Sequence, residues 1–374
     1  MQHTISKRKQ IVTVLIFLIL ITGVLPLWMV LRNHVDHENY EKRELAELPM
    51  LSISTISQFP GQFEEYINDH LPFRNQLIRA YNLMDYYIFH TSDSDCVVIG
   101  DEGWLFYSDV KDGDSIATYK GQNLLTDEQL EKIADNLTRS RDNLQKEGIE
   151  FAVFIPPNRE RMYPEYMPGF YGDPAPDYPV MQICQYLRTH TDIQVIYPYE
   201  ELLEAKEQLK DRAQICYKTD THWTRLGAYI GTRELLKCFD IDLPDYLDPS
   251  VTITESPAVT GDLADMLNLG SYIDPGMEYD VEGVVSDSTQ NTEWDFSGYI
   301  RYSSQEADPR EILILRDSFC SNMAPFIGTS FQESVMIHTK TYKNELVREE
   351  KPDIVVVEAA ERRAPKQLLR FCYE

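Results

Sequence analysis

The sequence predicts an α/β fold behind a single membrane-spanning helix. Short apolar runs of strand type alternate with longer segments whose apolar residues recur at helical spacing, the pattern of a mostly parallel sheet covered by helices. One long uncharged run near the N-terminus predicts the spanning helix.

That run extends from Ile11 to Leu31, 21 residues without a charge. A helix of this length covers ~30 Å, about one hydrocarbon core. Pro26 falls late in the run and predicts a kink near its outer end. Trp28 stands at interfacial depth. Lys7, Arg8 and Lys9 precede the run, and mixed charges follow from Asn33 to Glu47. The positive-inside rule then keeps residues 1–10 in the cytoplasm, makes 11–31 an anchor in the cell membrane and puts the bulk of the chain outside. A cleaved signal peptide is the rival reading. Its apolar core would be shorter, ~7–15 residues, and followed by a small-residue cleavage site; no such site follows here.

Of the 374 residues, 61 are Asp or Glu and 35 are Lys or Arg, a net charge of -26. Such an excess of acid argues against nucleic acid or anionic lipid as the main partner. The six cysteines form no CxxC pair and no zinc spacing. An outside location permits three disulfides, and an all-reduced set is equally compatible with the sequence.

Residues 33–58 read as an extracytoplasmic stalk, and 59–374 as the main domain. Between Pro60 and Phe89, Phe63, Tyr66, Ile67, Leu71, Leu77, Ile78, Tyr81 and Met84 recur at helical spacing, with a break at Pro72. Val97–Ile99 and Trp104–Tyr107, separated by Gly100 and Gly103, predict a short hairpin. Asp127 to Glu147 predicts a helix, with Thr126 as N-cap and Gly148 at its C-terminal end. Strands are expected at Glu150–Ile155, Ile193–Tyr197, Glu311–Leu315 and Asp353–Glu358, and helices at Tyr178–His190 and Trp223–Phe239. Residues 245–309, rich in Gly, Pro, Asp and Ser, read as a loop-rich insertion. In parallel sheets, sites gather at the carboxyl ends of strands. That rule directs attention to Pro157–Arg161, Arg316–Ser318 and Glu358–Arg362.

Two of the chain's segments carry the residue types for nucleophilic chemistry. Ser318 follows the strand ending at Leu315, on an expected strand-to-helix turn. A serine hydroxyl needs a base to accept its proton, and His222 is the candidate. Asp220, two residues earlier, would orient the imidazole, since residues two apart in extended backbone face one side. An ordinary N-cap at Ser318 and a packed histidine at 222 are the plainer readings. Asp220 and His222 are also metal-ligand types, but no third ligand stands at a helpful spacing, so neither a metal nor a cofactor is expected. Asn158, at a strand end, has an amide suited to an oxyanion; Arg159 or Arg161 suits a carboxylated sugar; Trp223 suits stacking on a sugar ring. Turn, surface and core roles respectively compete with these.

Six motifs in order sharpen the reading. They are Asn39–Pro49 (NYEKRELAELP), Phe63–Ile78 (FEEYINDHLPFRNQLI), Gly100–Phe106 (GDEGWLF), Asp220–Trp223 (DTHW), Gly261–Leu267 (GDLADML) and Arg316–Phe319 (RDSF). Through them the chain resembles the DHHW family of bacterial surface proteins and the AlgJ/AlgX-like O-acetyltransferases of SGNH-hydrolase type. The resemblance implies an SGNH-hydrolase-like three-layer sandwich in permuted order, with Ser318 as nucleophile, His222 as base and Asp220 as its partner. The chain departs from the pattern twice. Thr221 replaces the middle histidine of DHHW, and Arg316 stands where related hydrolases have glycine, which predicts a differently shaped turn around a side chain at the substrate site.

The function so implied is acetyl transfer to a cell-surface or exported polysaccharide through an acyl-enzyme. In the resembling systems a membrane-bound O-acyltransferase of the MBOAT class supplies the acetyl group, and such a partner is expected here. A carbohydrate acetyl esterase with the same triad, and a non-catalytic glycan-binding scaffold, are the alternatives.

Overall fold

The computed structural model describes residues 7–35, 44–52, 55–210 and 212–374. Parts of the expected cytoplasmic segment (1–6) and stalk (36–43 and 53–54), and the start of the Asn39–Pro49 motif, lie outside the described residues. The chain divides into two compact units, Met1–Phe89 with Asp265–Leu269, and His90–Ala264 with Gly270–Glu374.

The first unit contains the helix Lys7–Leu31, with Pro26 inside it. Its Ile11–Leu31 stretch is long and apolar enough to cross a membrane, and among the described residues it is the one helix of that kind. Trp28 meets the Phe73 ring edge-on, with centroids 5.2 Å apart. Two helices follow, Phe59–Asp69 and Arg74–Met84, and the break between them contains Pro72, which cannot supply an amide to continue the first. Arg79 and Asn82 donate to Asn268 and to the Leu267 carbonyl.

The second unit is built on a seven-stranded sheet. Its described residues form eleven strands: β1 (Val97–Ile99), β2 (Leu105–Tyr107), β3 (Glu150–Phe154), β4 (Gln194–Ile196), β5 (Thr252–Pro257), β6 (Met277–Glu282), β7 (Thr289–Trp294), β8 (Tyr299–Ser304), β9 (Asp308–Arg316), β10 (Phe331–His338) and β11 (Ile354–Glu358). The central order is β4-β3-β11-β9-β10-β8-β7. The first five are mutually parallel, and β8 and β7 add an antiparallel edge. β1–β2 and β5–β6 are separate antiparallel pairs.

The central strands read as continuous apolar runs because both faces are covered. On β9, Ile312 and Ile314 enter one core while Leu313 and Leu315 enter the other. β11 repeats this with Ile354 and Val356 against Val355 and Val357. Helices Tyr199–Leu209, Arg225–Lys237 and Cys320–Ser330 contribute to the first core, and Asp127–Lys146 and Pro179–His190 to the second. These are three layers, as the sequence predicts. The Asp127–Lys146 helix opens on a capping box, in which Thr126 and Gln129 each satisfy the other's amide.

Two features differ from expectation. Residues 245–309 are not wholly an insertion. Their second half holds β7 and β8, and β8 buries alternate residues and pairs with β10, so this stretch widens the main sheet. β10 itself is hidden in the sequence because the preceding helix ends at Ser330 and the strand begins at Phe331, with no turn between them. Among the described residues all six cysteines are unbridged.

Ile314 has no exposed surface and lies on β9, between β11 and β10. Ile314→Ala should lower unfolding free energy by about 3–4 kcal/mol, through lost burial and the cavity left behind. Denaturant titration of the full chain in detergent measures it; a loss below about 1 kcal/mol would mean that this core is loosely packed.

Candidate active site

β3, β11, β9 and β10 run parallel, so their carboxyl ends share one edge. Ser318 stands there, two residues past β9 and just before the helix Cys320–Ser330. The turn is held by its buried neighbour Asp317. The Asp317 amide donates to Glu358 Oε2 at the end of β11, 2.6 Å away. The Asp317 carboxylate accepts from the amides of Phe319 and Ala360, both at 2.9 Å.

His222 reaches the same place from the Tyr217–Trp223 loop. Its Nε2 lies 2.7 Å from Ser318 Oγ, and its Nδ1 lies 2.6 Å from Asp220 Oδ1. Asp220 also accepts from the backbone amides of His222 and Asp262, each at 2.9 Å. Two hydrogen bonds tie this loop to the serine turn: Trp223 Nε1 donates to the Phe319 carbonyl at 3.0 Å, and Asn322 Nδ2 to the Trp223 carbonyl at 3.0 Å. The fold thus brings Ser318, His222 and Asp220 into one hydrogen-bonded row.

The electrostatics follow from burial and pairing. Burial opposes the Asp220 charge, but the hydrogen bond and charge of His222, with the two amides, outweigh it and bring its carboxyl down to about 2. Burial opposes the imidazolium of His222 as well; Asp220, and then Asp262, overcome this and raise it above its ordinary 6.5. Burial and the Asp317 charge push the Glu358 carboxyl well above its ordinary 4.5, favouring the protonated acid beneath the serine turn.

The remaining residues expected at the site behave differently. Asn158 is buried, and its side-chain amide nitrogen has no hydrogen-bond partner. Arg159 is not presented to a carboxylated sugar. It is 3% exposed, packs over the Trp104 and Phe106 rings, and donates to the carbonyls of Tyr217 and Asp220. It therefore clamps the histidine loop. Arg161 is buried too, beside Glu361 at 3.5 Å. Trp223 is 2% exposed and its indole N–H is used by the serine turn, so no sugar ring stacks on it. Arg316 is fully buried, and its guanidinium turns to the carbonyls of Asp295 and Phe296, 3.2 and 2.8 Å away. The position occupied by glycine in related hydrolases thus holds a structural arginine, not a substrate contact.

Two neighbours lie in segments the sequence singled out without giving either residue a role. Asp262, 40 residues from His222 in the chain, faces both Asp220 and Thr221. Arg362, carried past β11, has its guanidinium 5.7 Å from the Phe319 ring. Asp262 completes a trio with Asp220 and His222 of metal-ligand type. Every candidate ligand atom there already holds a hydrogen bond: Asp220 to His222 and the Asp262 amide, Asp262 to Thr221, and His222 to Asp220 and Ser318. An ion would have to break this row, so the donor set fits proton transfer better than a metal.

Residues 97–334 match the model of a family described as the SGNH hydrolase-like domain of acetyltransferase AlgX. The chain belongs to this family. It is similar to the probable alginate O-acetylase AlgJ of Pseudomonas syringae pv. tomato, 28% identical over 212 residues, 55% of this chain and 50% of that one. The chain thus spans about half the length of the curated relatives it matches. Bacillus cereus PatB1 shares the fold at a TM-score of 0.52 and 12% identity, covering 74% of this chain and 99% of that one. A DHHW family protein from Eubacterium siraeum aligns at a TM-score of 0.49 and 11% identity, over 64% of this chain and 89% of its own.

The buried Glu358 gives a signed prediction. Its folded-state affinity for a proton exceeds that in the unfolded chain, so its protonation stabilises the fold less and less as pH rises above the ordinary 4.5. Glu358→Gln keeps the neutral shape and removes this loss. Its stability relative to wild type should increase between about pH 4 and about pH 8 in paired denaturation curves; an unchanged difference would show that Glu358 ionises freely.

Proposed function

We propose that this chain is an O-acetyltransferase acting on an exported or cell-surface polysaccharide, with Ser318 as nucleophile, His222 as general base and Asp220 as its orienting partner. The observation that carries the reading is the row Ser318 Oγ–His222 Nε2 at 2.7 Å and His222 Nδ1–Asp220 at 2.6 Å. Contacts this short are what proton transfer requires. They favour chemistry over a scaffold role, in which serine and histidine would have no reason to meet.

In the first half-reaction His222 takes the Ser318 proton as Oγ attacks the acetyl carbonyl. The carbonyl carbon then releases the donor's leaving group, which receives that proton, and an acetyl-serine remains. In the second, a sugar hydroxyl gives its proton to His222 and attacks the ester. Ser318 leaves and is reprotonated. The unpartnered, buried amide of Asn158, four residues past β3, suits the oxyanion formed in both halves.

The acceptor class is supported by the relatives named as alginate O-acetylases. The apolar Ile11–Leu31 helix supports membrane attachment, with residues 33–58 as a tether and the domain on the outer side. Acetyl-CoA is cytoplasmic, so an outer-side enzyme requires a membrane partner that delivers acetyl groups. An MBOAT-type acyltransferase would meet that need.

The test is release from a chromogenic acetyl ester by the full chain in detergent, with and without an oligosaccharide acceptor. Transfer predicts acceptor-stimulated release and acetylated sugar. Ser318→Ala should abolish both, together with the acetyl adduct seen by mass spectrometry. Release indifferent to acceptor would make the protein an esterase, and release indifferent to Ser318→Ala would sink both readings. Because the base must be neutral and its imidazolium is stabilised, kcat/KM should rise with pH through a value above 6.5 and then level off.

A further inference from the structure

We infer that Asp262 is a positioning residue that fixes Asp220 and adds a second negative charge against His222, a role that rests on the triad proposed above. Gly261 brings its segment against the Thr219–Asp220 backbone so closely that a Cβ there would stand 2.1 Å from the Thr219 carbonyl oxygen. No other residue permits this approach without a shift. Ala264 N–H reaches the same Thr219 carbonyl at 3.2 Å. The Gly261–Ala264 segment is thereby seated on the loop that carries Asp220 and His222.

Asp262 uses this seat in both directions. Its amide donates to Asp220 Oδ2 at 2.9 Å, while Asp220 Oδ1 is occupied by His222. Each oxygen of Asp220 is thus assigned, and the carboxylate cannot rotate without losing a partner. In return, Oδ1 of the Asp262 carboxylate accepts from the Thr221 amide, and Oδ2 from the Thr221 hydroxyl, both at 2.7 Å. Thr221 is the residue between Asp220 and His222, so Asp262 holds the Asp-Thr-His loop through its middle as well as its first member. A hydroxyl at position 221 fits a carboxylate acceptor directly.

The charge of Asp262 also acts on the base. Four charged groups surround His222 and its carboxylate neighbours. Asp220 and Asp262 favour the His222 imidazolium, Arg362 opposes it, and Arg159 lies beside both carboxylates. Burial and the neighbouring Asp220 charge raise the Asp262 carboxyl, as expected of two acids brought together from separate segments. Removing the Asp262 charge should therefore make His222 release its proton more readily.

Two substitutions separate contact from charge. Asp262→Asn retains one oxygen for the Thr221 amide and an NH2 that the Thr221 hydroxyl can accept from, but removes the charge. Asp262→Ala removes both. The full chain in detergent, labelled with 13C-histidine, gives His222 titrations by NMR; the eight histidines are resolved by comparison with His222→Gln. Asp262→Asn should titrate at lower pH than wild type, and the acid limb of kcat/KM for the chromogenic ester should move the same way, a shift that lost packing alone would not produce. Asp262→Ala should lower kcat by about a hundredfold with KM little changed, as expected for a misplaced base. A His222 titration in Asp262→Asn that coincides with wild type overturns the inference whatever the activity. A shifted titration in a protein whose ester turnover ignores Ser318→Ala upholds Asp262 as the partner of Asp220 and His222, and removes the catalytic reading alone.

Discussion

The site depends on the hydrogen bond from the Trp223 indole to the Phe319 carbonyl. His222 and Ser318 lie on loops 96 residues apart, and neither loop belongs to a strand. The indole crosses between them while fully enclosed, so breaking the bond would strand a buried donor at a cost of about 1–3 kcal/mol. The protein makes room for it at a specific place. On the helix Arg225–Lys237, Gly231 faces the ring where a Cβ would approach to 2.8 Å. The aromatic body thus sets the spacing of the two loops, and the N–H sets their register. The 2.7 Å contact between imidazole and hydroxyl follows from that packing.

Around this staple, the buried charged groups hold backbone. Arg159 grips two carbonyls of the histidine loop, Arg316 grips two at Asp295 and Phe296, and Asp317 collects the amides of Phe319, beside the serine, and of Ala360, past β11. Loops carry polar backbone that cannot be left unpaired when buried. Long charged side chains solve this where no strand partner is available. An arginine at position 316, two residues before Ser318, is intelligible on these terms, because its guanidinium is turned to the carbonyls of a neighbouring loop.

Much of the fold is legible in the sequence for a simple reason. Strands buried on both faces are continuous apolar runs, and Thr126 and Pro72 mark helix ends by their chemistry. β10 is not legible because helix and strand abut at Ser330–Phe331. Residue type suggested pairing Ser318, at a strand end, with Asp220 and His222, and the resemblance of the DTHW and RDSF segments to family motifs is what singled the three out. The uses of Arg159, Trp223 and Arg316 were not, since burial is a tertiary property and each side chain is equally plausible on a surface. Asp262 was visible within a motif, yet its partner lies across the fold, and spacing along the chain carries no trace of it.

The unbridged cysteines have a consequence for how the chain reaches this state. Cys184, Cys216 and Cys320 sit in the two cores, and burial pushes the first two thiols up to about 11 and about 12 and the third well above its ordinary value. Thiols held protonated in this way are poor nucleophiles and slow to oxidise. Once the domain is folded, these three thiols are therefore shielded from oxidants and from thiol exchange.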